Sequence, residues 1–207
     1  MKKFLHYIKG AFVFSVVMLV LCGLLYPLAL TGISQLAFHD KANGSLITVN
    51  GKEVGSEIVG QDFTDKRLFK CRPSAVNYNT YTEEDKKNKD YTGIASGSNN
   101  YGNTNPALKE RVQKDIDAFL AANPDIKKTD LPGDLLTASG SGLDPHISVA
   151  SAEIQIPAIA EASGLSEEKL KEIVKNNTEE KVLGVFGEQT VNVLKCNLEI
   201  AQLIKMI

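Results

Sequence analysis

Serine, aspartate and histidine side chains lie close together in the segment TASGSGLDPHIS, residues 137–148. Such residues could form a hydrolytic site, in which an acid orients a histidine base that activates a serine. The order Ala-Ser-Gly-Ser-Gly that includes Ser139 lacks the first glycine of a G-x-S-x-G turn, and catalytic triads usually combine distant segments. We therefore predict a rigid turn, in which Pro145 fixes φ and Asp144 and His146 bind the loop or cap the next helix. A surface for a partner protein is compatible with such a turn.

Arg72 stands in the mixed apolar and basic segment RLFKCRPSA, residues 67–75. Its neighbours are expected to be partly buried, and a buried guanidinium needs a carboxylate or several carbonyl groups. We predict that Arg72 forms a structural ion pair, with contact to a partner protein as the alternative. Pro73 and Ser74 belong to the same candidate surface.

The polar stretch from Ser96 to Asn105 is rich in glycine, serine and asparagine. It could bind a phosphate, but it lacks the G-x-x-x-x-G-K-[ST] order and has no lysine at the start of the next helix. We predict a turn that leads into a helix, with Asn105 as the N-cap and Pro106 at the first helical position. Carbonyl groups of this stretch, including that of Asn99, could alternatively bind a cation weakly.

These candidate residues follow an apolar segment near the N-terminus. Lys2, Lys3 and Lys9 precede the run AFVFSVVMLVLCGLLYPLAL, and the next charged residue is Asp40. About 20 apolar residues suffice for a helix to cross a bilayer, and an excess of lysine marks the cytoplasmic side. A cleaved signal peptide usually has a shorter apolar core and a small-x-small site. We predict a cytoplasmic N-terminus at 1–9, a transmembrane helix at 10–33 and an extracytoplasmic domain at 34–207.

Charge and cysteine content exclude several classes of protein. Without the three N-terminal lysines, 20 of the 23 basic residues remain against 25 acidic ones, a net charge of −5. With no tryptophan and few aromatic residues, this acidic domain does not suit nucleic acid. No cysteine or histidine spacing suggests zinc. Cys71 and Cys196 could form a disulfide or remain free, and the sequence leaves both possibilities open.

The remaining patterns predict an α+β domain. A hairpin is expected at Asn50-Gly51, then a long polar loop over 76–106 and a helix that ends at Asn123-Pro124. A helix opened by Ser148 should kink or divide at Pro157 and end at Gly164, and another should begin at Ser166. The segments KVLGVFG (181–187) and TVNVLKCN (190–197) alternate as strands do, and an apolar tail follows them.

Four stretches carry a family resemblance: CRPSA (71–75), SGSNNYGNTNPAL (96–108), TASGSGLDPHIS (137–148) and VNVLKCNLEI (191–200). Together with the N-terminal apolar segment, they resemble the C subunits of the Kdp potassium-transporting P-type ATPases along essentially the whole chain. One departure is Gly102-Asn103, where that family often has Gly-Pro.

The resemblance implies an accessory subunit of the bacterial plasma membrane, without catalysis of its own. In that family a catalytic P-type subunit binds ATP, a channel-like subunit selects potassium, and a small single-span subunit completes the complex. The C subunit is needed for assembly and raises the ATP affinity of the catalytic subunit, as a catalytic chaperone. Because ATP is cytoplasmic and this domain is predicted outside, we expect that effect to travel through membrane-embedded partners. The residues alone support two alternatives: a membrane-anchored extracytoplasmic binding module unrelated to ATP hydrolysis, or an anchored hydrolase.

Overall fold

The computed structural model describes residues 2–88 and 93–207, so part of the predicted long loop, 89–92, lies outside the described residues. The helices are α1 Lys2–Val20, α2 Tyr26–Ala37, α3 His39–Ala42, α4 Glu83–Lys87, α5 Pro106–Ala122, α6 Val149–Glu153, α7 Ile156–Ser163, α8 Glu167–Asn176 and α9 Val193–Leu203. The strands are β1 Leu46–Val49, β2 Lys52–Ser56, β3 His146–Ser148, β4 Thr178–Glu179 and β5 Thr190–Asn192. Helices and short antiparallel strands confirm the predicted α+β class. The chain forms two compact units, Met1–Leu46 and Ile47–Ile207.

The first unit contains the apolar helical segment. Among the described residues, Phe4–Ala37 is long and apolar enough to cross a membrane, and an 18-residue stretch within it has a mean hydropathy of 2.5. At 1.5 Å per residue, its 34 residues extend about 50 Å. A π-helical turn, Leu21–Leu25, joins α1 to α2 just before Pro27. The wider turn accommodates the proline, whose ring would clash with the carbonyl group four residues earlier in a regular α-helix.

The predicted hairpin is present as β1 and β2. Asn50 and Gly51 connect the strands with φ values of 51° and 77°. Both values lie in the left-handed region that a two-residue I′ turn requires, and asparagine and glycine adopt it at least cost.

The core of the second unit lies between a small sheet and the C-terminal helices. The sheet has the order β3-β5-β4, and both pairings are antiparallel. Ile147 pairs with Val191 at its centre, and each side chain is at most 2% exposed. Leu170 and Ile173 of α8 are fully buried in the same hydrophobic cluster, since residues three apart share one face of a helix. The core therefore fixes β3, which directly follows the turn with the candidate residues.

Several predicted helix boundaries are confirmed. The side chain of Ser148 caps α6, and a second helix with Pro157 in its first turn follows as α7. Gly164 ends α7 with φ 75°, and the side chain of Ser166 caps α8. A proline inside a helix removes one hydrogen bond, and the chain accordingly forms two short helices, as predicted, with Pro157 in the first turn of the second.

Two predicted strands are wrong in part or whole. Only Thr190–Asn192 of the segment 190–197 is a strand, because the side chain of Asn192 accepts a hydrogen bond from Lys195 N and starts α9. The apolar tail continues that helix to Leu203. The segment 181–187 forms a tight turn closed by one bridge between Val182 and Phe186. Alternation over so few residues does not distinguish a strand from a capped helix or a closed turn.

Candidate functional site

Two buried amide side chains bind the backbone of the segment that carries Arg72. Phe69 N donates to Oδ1 of Asn197 at 2.8 Å, and Nδ2 of Asn197 donates to Phe69 O at 2.9 Å. Lys70 N donates to Oε1 of Gln155 at 2.8 Å. Asn197 and Gln155 thus satisfy backbone groups that a neighbouring strand would otherwise pair, and both are buried. These contacts hold the segment against the core and thereby position the backbone of Arg72.

Arg72 joins this segment to the turn 137–146. Its Nη1 donates to Oδ2 of Asp144 at 2.9 Å, and the two side chains are 24% and 26% exposed. Its Nε donates a longer hydrogen bond to Thr137 O, at 3.4 Å. The predicted structural pairing of Arg72 is therefore confirmed, and its partner is a carboxylate 72 positions away.

The backbone of the turn lies very close to two other loops. Ser74 Oγ donates to Gly142 O at 2.6 Å, and Gly97 N donates to Ser141 O at 2.7 Å. Gly142 has φ +68°, and a Cβ atom there would lie 2.7 Å from Gly97 O. Gly60 N also donates to the next carbonyl group of the turn, Leu143 O, at 2.8 Å. Three loops therefore meet at one point that only glycine can occupy at 142.

A left-handed turn follows Ser74. Asn77, Tyr78 and Asn79 have φ values of 47°, 49° and 56°. Left-handed backbone costs about 1–2 kcal/mol per residue for ordinary side chains and less for asparagine. Tyr78 offsets this cost in part: its N–H donates to Ser74 Oγ at 3.0 Å, and its hydroxyl donates to Arg72 O at 2.6 Å. Strain of this kind concentrates at functional sites.

The start of α6 is held by a carboxylate from the preceding 3₁₀ turn. Asp134 accepts from Ser148 N at 2.7 Å, from Ser148 Oγ at 3.0 Å and from Ser151 Oγ at 2.6 Å. Burial raises the pKa of Asp134, but the hydrogen bonds from Ser148 and Ser151 together lower it by more. The resulting pKa therefore lies below the ordinary value of an aspartate. Ser148 itself accepts from Ser151 N and caps the helix. The capping role that we predicted for Asp144 or His146 therefore falls to Ser148 and Asp134.

His146 lies in β3 beside polar groups other than serine. Its Nδ1 is 3.8 Å from Oδ1 of Asp144, and its Nε2 is 3.5 Å from Oε1 of Glu179. Its backbone N–H donates to Oδ1 of Asp144 at 3.0 Å, an interaction within the turn that the sequence predicted. Among the hydrogen bonds of the described residues, Ser139 binds Gly142 N and Ser141, and no serine hydroxyl binds His146. This geometry does not form the nucleophile–base pair of a hydrolase.

Two half-buried groups near Arg72 are held in their neutral forms. Burial raises the pKa of the Cys71 thiol to about 12 and also raises the pKa of the Tyr78 hydroxyl. Cys71 and Cys196 are both free thiols, so the disulfide that the sequence left open is not formed. Arg72 and Cys71 line an open cleft of about 970 Å³ between α5, α7 and the segment that follows Gln61.

The structure brings most of the sequence-predicted residues together. Those that converge on the turn or contact its neighbours are Arg72, Pro73, Ser74, Ser139, Asp144, Pro145 and His146. Asn105 and Pro106 instead start α5, where Oδ1 of Asn105 accepts from Ala107 N at 2.9 Å, as predicted. Asn99 is exposed, and none of the described hydrogen bonds of the turn reaches it.

Sequence reasoning missed the groups that support this cluster. Asn197 and Gln155 bind the Arg72 segment, and Asp134 and Tyr78 hold the flanking turns. Asn197 carried a signal: it stands on the same helical face as Leu194, Ile200 and Ala201, which are buried. A polar residue in an apolar helical stripe indicates a buried hydrogen-bonding role, but the segment was interpreted as a strand.

In its described residues, the protein is thus an α+β protein with one candidate membrane-spanning helix near its N-terminus and a clamped turn in its larger unit. Residues 8–202 match the model of a family described as KdpC, K+-transporting ATPase, c chain.

Similar proteins agree with this family match. A potassium-transporting ATPase KdpC subunit of Clostridium kluyveri is 63% identical over 202 residues, which cover 98% of this chain and 96% of that protein. The subunit of Clostridioides difficile is 62% identical, with 97% and 99% covered, and that of Caldanaerobacter subterraneus is 46% identical, with 96% of each chain covered. The chain belongs to the KdpC family of K+-transporting ATPase subunits. This membership favours an ATPase subunit over an unrelated binding module or a hydrolase.

Proposed function

We propose that this chain is a non-catalytic accessory subunit of a high-affinity, ATP-driven potassium uptake complex. The supporting observation is the match to K+-transporting ATPase c chains over residues 8–202. Potassium is the ion that the complex transports, and ATP is bound by the catalytic P-type subunit rather than by this chain. The other partners are a potassium channel-like subunit, a small single-span subunit and membrane lipid.

The proposed topology places the N-terminus in the cytoplasm and residues 34–207 outside the plasma membrane. Lys2, Lys3 and Lys9 precede the apolar helix, and Asp40 is the next charged residue after them. A lysine excess on one side favours retention of that side in the cytoplasm. The substitutions Lys3→Cys and Lys66→Cys, made one at a time, would test this topology in intact cells. A membrane-impermeant thiol reagent should label the cysteine at position 66 but not the one at position 3.

We propose that the clamped turn 137–146 is the surface that the second unit offers to a partner subunit. The ion pair between Arg72 and Asp144 and the close approach at Gly142 hold this turn in one conformation. A surface that is rigid before binding loses less conformational entropy when the complex forms. The left-handed turn at 77–79 is a further sign of a strained, functional region.

The proposed effect on ATP is indirect. A domain outside the membrane cannot contact a nucleotide in the cytoplasm, so the coupling free energy must pass through membrane-embedded partners. Typical coupling of 1–3 kcal/mol corresponds to about a 5- to 150-fold change in affinity. The apolar helix is the part of this chain that could contact those partners within the bilayer.

Purification of the whole complex with and without this chain tests the proposed function. We expect the full chain to co-purify with a P-type ATPase subunit and to be required for potassium-stimulated ATP hydrolysis. In whatever complex still assembles without this chain, the KM of the catalytic subunit for ATP should be higher than in the full complex. Equal yield, equal potassium stimulation and an unchanged KM without the chain would refute the proposal.

A matched pair of arginine substitutions tests the role of the turn. Arg72→Gln removes the bond to Asp144, whereas Arg67→Gln removes a local, more exposed pair with Asp65. We expect Arg72→Gln to cost about 1–2 kcal/mol of stability, between the values for a buried charged hydrogen bond and a surface pair, and to lower the yield of the complex. Arg67→Gln should leave both unchanged. Full recovery of the complex with destabilised Arg72→Gln would show that the turn is not a partner surface.

A further inference from the structure

An exposed apolar turn projects from the second unit between β4 and β5. We define it as the apolar tip, residues 182–186. Its exposed side chains are Val182, Leu183, Val185 and Phe186, with relative exposures of 67%, 86%, 72% and 65%. Single exposed apolar residues are common on protein surfaces, but four in one short turn form a contiguous feature. None of them packs against the hydrophobic core of the described residues.

The apolar tip is held in one conformation by its own backbone. Val182 N donates to Phe186 O at 2.9 Å, and Phe186 N donates back to Val182 O at 3.0 Å. Leu183 has φ 55° and Gly184 has φ 72°, which reverses the chain direction sharply. A leucine in the left-handed region is unfavourable, and many residues would suit this position better if only the turn mattered. Leu183 thus combines an unfavourable backbone conformation with an apolar side chain that is 86% exposed, a combination that the local turn does not require.

The stem below the apolar tip is acidic. Glu179, Glu180 and Glu188 carry three negative charges, against one positive charge on Lys181. Lys181 pairs with Glu188 at 3.2 Å, and the side chain of Glu188 is 85% exposed. Glu180 accepts a hydrogen bond from Gln189 at 2.8 Å and also remains exposed. An apolar end surrounded by a net negative charge limits the surfaces that it can approach.

We propose that the apolar tip inserts into an apolar pocket with a basic rim on another subunit of the same ATPase. This inference rests on the proposed function, which supplies the partner. Rigid apolar side chains that fill a pocket act as anchors of an interface, and the surrounding charges determine which partner is accepted. Leu183 and Phe186 are the anchors, and the acidic stem is complementary to basic side chains at the rim.

The charges of the stem disfavour the two other occupants of such a tip. Anionic lipid head groups would repel the three carboxylates, whereas segments that bind membrane surfaces usually carry lysine and arginine. In a symmetric contact between two copies of this chain, the same acidic stems would face each other. Opposite charge on a different subunit avoids both costs.

Photo-crosslinking in the assembled complex identifies the occupant directly. Leu183→p-benzoylphenylalanine in the full chain should give, on illumination in native membranes, a covalent adduct with another subunit of the ATPase. The same photoreactive residue at Leu203, an apolar residue at the end of α9 that is 47% exposed and lies outside both the apolar tip and the turn 137–146, serves as the control and should give no such adduct. Adducts with lipid alone, with a second copy of this chain, or equally from both positions would overturn the proposal.

Matched substitutions measure the contribution of the apolar tip. Leu183→Asn removes the apolar side chain but suits the left-handed backbone, so that the chain should fold at least as well as the native one. It should weaken retention in the complex at least about 10-fold, equivalent to about 1.4 kcal/mol, whereas Leu203→Asn should not. Glu180→Lys should weaken retention at low salt and lose that effect at high salt. Unchanged retention of Leu183→Asn would overturn the proposal.

The two levels of inference fail in different ways. If the native chain does not co-purify with a P-type ATPase subunit, the proposed function is wrong. If the native chain co-purifies but Leu183→Asn is retained equally well, or the photoreactive residue at position 183 gives no adduct with another subunit, only the apolar tip is excluded. The native complex is therefore measured beside each variant.

Discussion

Gly142→Ala is expected to destabilise the second unit strongly because of one backbone approach. Gly142 has φ +68°, and a Cβ atom there would lie 2.7 Å from Gly97 O and 2.8 Å from Cγ2 of Val76. The left-handed backbone costs about 1–2 kcal/mol for alanine, and overpacking adds about 1–3 kcal/mol. The expected loss is thus about 2–5 kcal/mol, a large part of the stability of an ordinary domain.

Gly140→Ala is the matched control for this substitution. Gly140 lies two residues earlier in the same turn, and apart from its two chain neighbours no heavy atom of the described residues lies within 4 Å of the Cβ that alanine would add. We expect its free energy of unfolding to stay within about 0.5 kcal/mol of the native value.

Urea unfolding of the full chain in mild detergent provides the assay. Far-UV circular dichroism is the suitable signal because the protein contains no tryptophan. The transition midpoint of Gly142→Ala should fall while the slope with urea stays constant, since the surface exposed on unfolding does not change. Equal midpoints for Gly142→Ala and Gly140→Ala would refute the close approach of the three loops.

Three further predictions concern groups that support the site. Asn197→Leu should lower the free energy of unfolding by about 2–5 kcal/mol, because it leaves the N–H and C=O groups of buried Phe69 unpaired. Hydrogen exchange at the Phe69 amide should accelerate, and unchanged exchange would contradict this role of Asn197. Cys71 should react slowly with a maleimide at pH 8 in the folded chain and rapidly in urea, since burial raises its pKa to about 12. The pKa of Asp134 is lowered in the folded state, so its stabilising effect is complete above the ordinary value of 3.8 and is lost as the pH falls through the lower folded pKa. Asp134→Asn should therefore be less stable than the native chain at pH 7 and should approach it below pH 3.8, and a constant difference would refute this assignment.

Local signals predicted much of the fold. Asn50-Gly51, Asn105-Pro106 and the glycine at 164 mark a hairpin, a helix start and a helix end, and the structure has each of them. These elements depend on φ preferences and caps that act within a few residues, so the sequence carries the whole signal. Strand prediction failed at 193–197 because Asn192 caps a helix there, and a few alternating residues fit both structures.

In the candidate site, too, some properties follow from local sequence and others only from the tertiary structure. The sequence alone indicated that Arg72 needs a carboxylate or several carbonyl groups, that 137–148 contains a turn, and that the N-terminal run is apolar and uncharged enough for a membrane. Residue type fixes each of these properties locally. Only the tertiary structure decided that the carboxylate is Asp144, that Asn197 and Gln155 hold the Arg72 segment, and that no serine binds His146. These pairings join positions 72 to 128 residues apart, and packing of the core rather than local preference brings such groups together.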